Sequence, residues 1–362
     1  MSHSRRVLTL FLVGVVTAWP SATEPSAPNS YTRIRVADGI YAFIYSRTSS
    51  GIVNGNCTAI LGDNGVLVVD SGQVPLAARR IIAEIRQLTE KPVRVLVNTH
   101  WHADHVLSNN EYRRAFPGVT VLAHEETRRL MEKNKDRVMQ LPSQGPGFAQ
   151  SLREALARGT RRDGTPFPAE QKASLENQSR DLEAILPELP FVEFAPADAT
   201  FKGEFTMHLG RREVRLLHLG RANTAGDTLV YVPDAKVLIT GDVVVAPVPF
   251  GFGSYPGEWL GVLDKILAMK PAAIVPGHGP VMHDTKYIAT LQRILTSLRA
   301  QAEDAVKQGL SLEDAQKKMD FSAFRAELAG DDPLLWCAFQ SFFLDSAIPR
   351  AYAEAKGETL VE

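Results

Sequence analysis

The chain has 362 residues, 44% hydrophobic and 22% charged, with a formal net charge of −1. This composition suits one large globular domain, or one domain with an appendage. It offers no basic excess for binding nucleic acid and no acidic block that would form a solvated tail.

The first residues stand apart. Arg5 and Arg6 precede an apolar stretch over residues 7–19, and no acid appears before Glu24. The pattern predicts a signal peptide over residues 1–22, too short for a spanning helix, cleaved after Ala18 or Ala22. Ser4-Arg5-Arg6 resembles a twin-arginine signal, and an uncleaved stretch would serve as an anchor. The expectation is a periplasmic or secreted protein with no stable membrane association after cleavage. Cys57 and Cys337 lack C-x-x-C spacing and read as two small buried side chains.

Residues 34–36, 40–45, 57–61 and 66–69 read as short strands, punctuated by Asp38-Gly39, Gly62-Asp63-Asn64-Gly65 and Asp70-Ser71-Gly72. Residues 75–87 follow as an amphipathic helix, with Ala78, Ile81, Ile82 and Ile85 at helical spacing and Pro75 in the first turn. A buried strand at 93–97, a helix at 109–116 and a strand at 119–123 come next. Composition then becomes charged, with a breaker at 144–147 and helices at 148–158 and 169–185. This reads as a helical insertion over about 127–188, either a lid across the sheet edge or site, or a solvated decoration.

Strands resume at 191–194, 204–208, 214–219, 228–232 and 237–240, then a helix at 258–269 and a strand at 273–275. Helices at 287–308 and from Ser311 follow, and Ser311-Leu312-Glu313-Asp314 resembles a capping box. The aromatic-rich stretch 334–353 packs on the core or forms a dimer contact, and the oligomeric state stays open. Strands with helices before, between and after them predict two packed sheets with helices outside. The expected organisation is a main domain over 30–285 and a C-terminal helical extension over 286–362.

The chemistry concentrates after the strand at 93–97. His100-Trp101-His102-Ala103-Asp104-His105 places three imidazoles and a carboxylate in six residues. In extended backbone His100 and His102 share a side, while Asp104 and His105 turn toward a neighbouring position. That density suits a metal site. Three more segments lie between or after strand patterns: residues 220–227 (Gly-Arg-Ala-Asn-Thr-Ala-Gly-Asp), Thr240-Gly241-Asp242, and Pro276-Gly277-His278-Gly279-Pro280.

In this order the four segments resemble the metallo-β-lactamase superfamily. The resemblance covers the chain from the first strands to about Asp284. It implies an α/β fold, an αββα sandwich with the site on one edge. It also implies zinc ligation: one ion at His100 and His102, another at Asp104, His105 and His278, with Asp242 bridging them. Where the family has a histidine, this chain has Asn223. An amide oxygen is a weak neutral zinc ligand, so Asn223 is a weak metal or substrate contact, and one tight zinc with a poorer second is expected. His218, five residues earlier, reads as a satisfied strand histidine. His124 lines the pocket or lies on the surface.

The resemblance implies hydrolysis by a metal-bound hydroxide, because zinc lowers the pKa of bound water to about 7. Asp104 would position that water and carry its proton. Asp242 favours the thioesterase and lactonase branches over the β-lactam-opening ones. An aromatic loop at 247–255 would wall the pocket and suit a small-molecule ester, thioester or lactone. A β-lactamase is the alternative, and a catalytically weak metal-binding scaffold is the second, resting on Asn223.

Overall fold

The structure is a computed structural model that describes residues 30–45, 54–161 and 164–362. The expected signal peptide lies outside the described residues. Among these, twelve strands divide between two sheets. The first sheet takes β1 (Tyr31–Ala37), β2 (Ile40–Tyr45), β3 (Cys57–Leu61), β4 (Val66–Val69), β5 (Val93–Asn98), β6 (Thr120–His124) and β7 (Ala199–Phe201), in chain order. The second takes β8 (Glu204–Leu209), β9 (Arg212–Leu217), β10 (Leu229–Val232), β11 (Val237–Val245) and β12 (Ala273–His278).

The pairing explains where chemistry can sit. β1 to β4 form an antiparallel meander, whereas β4 to β7 run parallel, as do β11 and β12. Parallel strands place their C-terminal ends on one sheet edge, so the segments that follow β4, β5, β6, β11 and β12 share an edge. Between the sheets lies an apolar layer that includes Ile60, Leu67, Val97, Val230, Ile239 and Val275. Each such fully buried side chain contributes about 1.5–3 kcal/mol.

Helices cover both outer faces. Helix Pro75–Leu88 buries Ile81, Ile82 and Ile85 against the first sheet, joined by Leu152, Leu182 and Ile185 of helices Gln140–Arg158 and Ala169–Ile185. The charged stretch after Thr127 therefore joins the outer layer. Its Leu130, Met131 and Val138 pack with Trp101 and Tyr255. On the second sheet, helices Pro256–Met269, Lys286–Lys307 and Asp345–Ala355 bury Trp259, Leu263, Leu295, Leu298 and Ile348, with Phe339 and Phe343. The aromatic stretch 334–353 thus packs on the core from Phe339 onward, while Trp336 is exposed. Ser311 caps helix Leu312–Lys318, accepting from Asp314 N. No described helix is long and apolar enough to cross a membrane.

Three expectations are corrected. The 144–147 breaker lies inside helix Gln140–Arg158, where Gly145 permits close packing: a Cβ there would sit 2.7 Å from Leu189 Cδ1. Residues 191–194 form no strand, because Pro187 and Pro190 set a 3-10 helix over Leu186–Phe191. The edge position goes to β7, which pairs with β6. Cys57 is buried as expected, but Cys337 is exposed.

Candidate metal centre

The donors come from two strand ends and from a register break inside β11. β5 stops at Asn98, and His100 follows it. His102 opens the short helix Ala103–Val106, which carries Asp104 and His105. Asp242 lies in β11 just after a register break at Gly241, and His278 ends β12. Close approach here depends on glycine: a Cβ on Gly277 would sit 2.0 Å from Asp242 Oδ1, and one on Gly55 2.3 Å from His105 Cε1.

Five of the six expected ligands converge tightly. His105 Nε2 lies 3.2 Å from Asp104 Oδ2, 3.3 Å from Asp242 Oδ1 and 3.3 Å from His278 Nε2. His278 Nε2 is 3.0 Å from Asp104 Oδ2 and 3.4 Å from Asp242 Oδ1. His100 Nε2 is 3.6 Å from Asp242 Oδ2. Two groups of donor atoms could hold an ion: His100, His105 and Asp242, and Asp104, His105 and His278. His102 stands outside both groups, with its ring 4.5 Å from that of His100.

Buried polar atoms without partners mark the same place. His100 Nε2, His102 Nε2 and Asp242 Oδ1 are all buried and make no hydrogen bond. Leaving such an atom unsatisfied costs about 1–3 kcal/mol, so this set calls for a cation. The donor chemistry, imidazole with carboxylate, suits zinc.

Electrostatics agree. Burial holds the His100 imidazole well below its ordinary value and brings His102 down to about 4, so both are neutral and have lone pairs to offer. Burial opposes ionisation of Asp104 and Asp242, yet the facing histidines keep both carboxyls well below the usual range. At His105 burial disfavours the proton, but Asp104, Asp242 and Asp70 together raise its pKa well above the ordinary value.

Asp70 is the functional residue that sequence reasoning missed. It was read as a turn after β4, and its backbone does turn there, at φ 59°. Its buried carboxylate accepts from Thr99 N and Thr99 Oγ1, each at 2.8 Å, and lies 2.8 Å from His105 Nδ1. Because the Thr99 hydroxyl donates to Asp70, its oxygen accepts from His100 Nδ1 at 3.0 Å. One carboxylate thereby sets the tautomer of two imidazoles and leaves both Nε2 atoms facing the cluster.

The segment 220–227 is held by its last residue. Asp227 accepts from Ala222 N at 3.1 Å, Thr224 N at 2.9 Å and Thr224 Oγ1 at 2.7 Å. Asn223 Nδ2 donates to Phe250 O at 3.0 Å, which leaves Oδ1 as its unpartnered atom. His218 lies just past β9, satisfied by Asp227 O at 2.9 Å, and its ring stacks 4.1 Å from that of His124. His124 is buried, caps helix Glu125–Lys133 and lines an open cavity with His218.

The aromatic loop does form a wall. The Phe250 ring lies 5.1 Å from the His278 ring, and that of Phe252 6.3 Å from His102. Phe342, from the aromatic stretch expected on the core or at a dimer contact, closes the wall instead at 5.3 Å from Phe250 and 5.6 Å from Phe252.

Comparison with known proteins agrees with this geometry. Residues 50–278 match the family model described as the metallo-beta-lactamase superfamily. A linear primary-alkylsulfatase from Pseudomonas sp. is 25% identical over 286 residues, covering 75% of this chain and 50% of the relative. The chain thus spans about half the length of that curated relative. A metallo-beta-lactamase from Pontibacter korlensis superposes with a TM-score of 0.52 at 18% identity, covering 74% of this chain and 99% of that one. The DIM-1 metallo-beta-lactamase gives 0.50 at 17% identity, over 74% of this chain and 98% of that one. These two likenesses bear on the fold: two sheets with helices on both outer faces. The chain belongs to the metallo-β-lactamase superfamily of metal-dependent hydrolases.

Proposed function

We propose that this protein is an exported zinc-dependent hydrolase of small ester-like substrates: carboxylic esters, thioesters, lactones or alkyl sulfate esters. The observation that carries the reading is the convergence of Asp104, His105, Asp242 and His278 within 3.4 Å contacts beneath an aromatic wall. Asp104, His105 and His278 with Asp242 would hold the tighter ion, and His100 and His102 the weaker one, with Asn223 a poor third donor. A zinc ion supplies Lewis acidity, lowering the pKa of coordinated water and polarising the ester oxygen.

The chain's own groups do the rest. Asp104, whose Oδ2 faces His105 and His278, orients the attacking water and accepts its proton, which it passes to the leaving oxygen or sulfur. Phe250, Phe252 and Phe342 exclude water and receive the apolar part of the substrate. The relative's name, an alkylsulfatase, brings alkyl sulfates into the class. Export rests on the pattern of residues 1–22.

The test strips the protein with a chelator, restores zinc or manganese, and assays an aryl ester, a thioester, a lactone, an alkyl sulfate and a chromogenic cephalosporin. Metal-restored turnover of an ester-type substrate supports the proposal. Turnover of the cephalosporin alone identifies a β-lactamase, and no turnover with metal bound identifies a weak scaffold.

A further inference from the structure

A carboxylate from far along the chain is held beside the metal cluster. Glu362 Oε1 accepts from the indole N–H of Trp101 at 2.5 Å, and Oε2 accepts from Ala225 N at 2.8 Å. Trp101 stands between His100 and His102, and its ring is 4.8 Å from that of His102. Ala225 belongs to the segment that carries Asn223. The aromatic loop approaches from the other side: a Cβ on Gly253 would lie 3.2 Å from Glu362 Oε1.

Three cationic side chains lie nearby, and Glu126 lines the same cavity as Glu362. Lys133 Nζ donates to Glu362 O, and the Arg137 guanidinium lies 5.2 Å from the Trp101 ring centroid. Arg350 donates to Val361 O at 3.3 Å, while its Nη2 is buried with no partner. Two N–H donors, each facing one oxygen of the same carboxylate, are the arrangement that recognises a carboxylate. Leu360, Val361 and Glu362 also wall the cavity of about 330 Å³ that His124 and His218 line. Moving Leu360–Glu362 aside would therefore open the two donors toward existing space.

We infer that Trp101 Nε1 and Ala225 N form a carboxylate-binding subsite beside the metal cluster, occupied by Glu362 and open to a carboxylate-bearing ligand when Glu362 is displaced. The subsite stands whether or not the centre hydrolyses esters. An intramolecular occupant lowers the apparent affinity for an outside ligand by the fraction of time it stays in place.

The test uses the full-length metal-free protein, so turnover plays no part. Sodium acetate is titrated against sodium chloride at matched ionic strength, followed by heat and by the Trp101 indole N–H resonance, assigned with Trp101→Phe. Glu362→Ala is expected to bind acetate about tenfold more tightly than the unaltered protein, with the Trp101 signal shifting. Glu362→Gln, which keeps the acceptor and loses the charge, is expected to fall between them. Equal acetate affinity in all three proteins, or a Trp101 signal unmoved in Glu362→Ala, overturns the inference. Sodium sulfate binding where acetate does not would overturn the carboxylate assignment.

Discussion

His105 Nδ1 donates to Asp70 Oδ2 at 2.8 Å, and this bond turns His105 Nε2 toward Asp104, Asp242 and His278. The same carboxylate reaches His100 through the Thr99 hydroxyl. Asp70→Asn keeps the size and removes the charge that fixes both tautomers. Zinc affinity is expected to fall roughly 10–100-fold, read by chelator competition. An affinity within twofold of the unaltered protein would reduce Asp70 to a turn residue.

In the proposed centre, Asn223 limits the metal count. Protein purified without added zinc is expected to carry nearer one zinc than two per chain, because an amide oxygen is a weaker zinc donor than an imidazole nitrogen. Asn223→His is expected to raise the count toward two, by elemental analysis. The substitution also loses the bond to Phe250 O, so thermal unfolding is followed in parallel. Two ions that resist dialysis in the unaltered protein would contradict the assignment.

Zinc binding is expected to release a proton near neutral pH. Asp104 and Asp242 are already ionised, because the histidines facing them overcome burial, and His100 and His102 are already neutral. His105 holds a proton, its pKa raised against burial by Asp104, Asp242 and Asp70. That proton stabilises the metal-free fold fully below the ordinary histidine pKa, about 6.5, and this contribution is lost as pH rises through the raised value. Zinc affinity therefore increases with pH up to the raised value. Calorimetry in buffers of different ionisation enthalpy measures the release; no buffer dependence would refute it.

Phe342 touches both Phe250 and Phe252, so Phe342→Ala is expected to loosen the wall without disturbing the ligands. The loss is about 1 kcal/mol, or roughly fivefold in kcat/KM for a long-chain ester, and less for a methyl ester. An equal loss for both substrates would remove Phe342 from the pocket.

Much of this site could be read from the order of residues because its donors sit in short, dense segments. His100, His102, Asp104 and His105 fall within six positions, Asp242 follows the apolar run 237–240, and His278 closes an apolar strand. Asp70 escaped because Asp-Ser-Gly after a strand has the composition of an ordinary turn, and its second role appears only once Thr99 and His105 are beside it. Phe342 and Glu362 reach the site from far along the chain, where no local period marks them. The helix across Gly145 and Pro146 was hidden for a similar reason: packing against Leu189 and Leu182 overrides two poor helix formers.

The most direct measurement is anomalous diffraction at the zinc edge from crystals of the zinc-loaded protein. A strong peak is expected bounded by Asp104, His105, Asp242 and His278, with a weaker one near His100 and His102. A zinc peak elsewhere in the molecule, with these four side chains bound to no metal, would contradict that expectation.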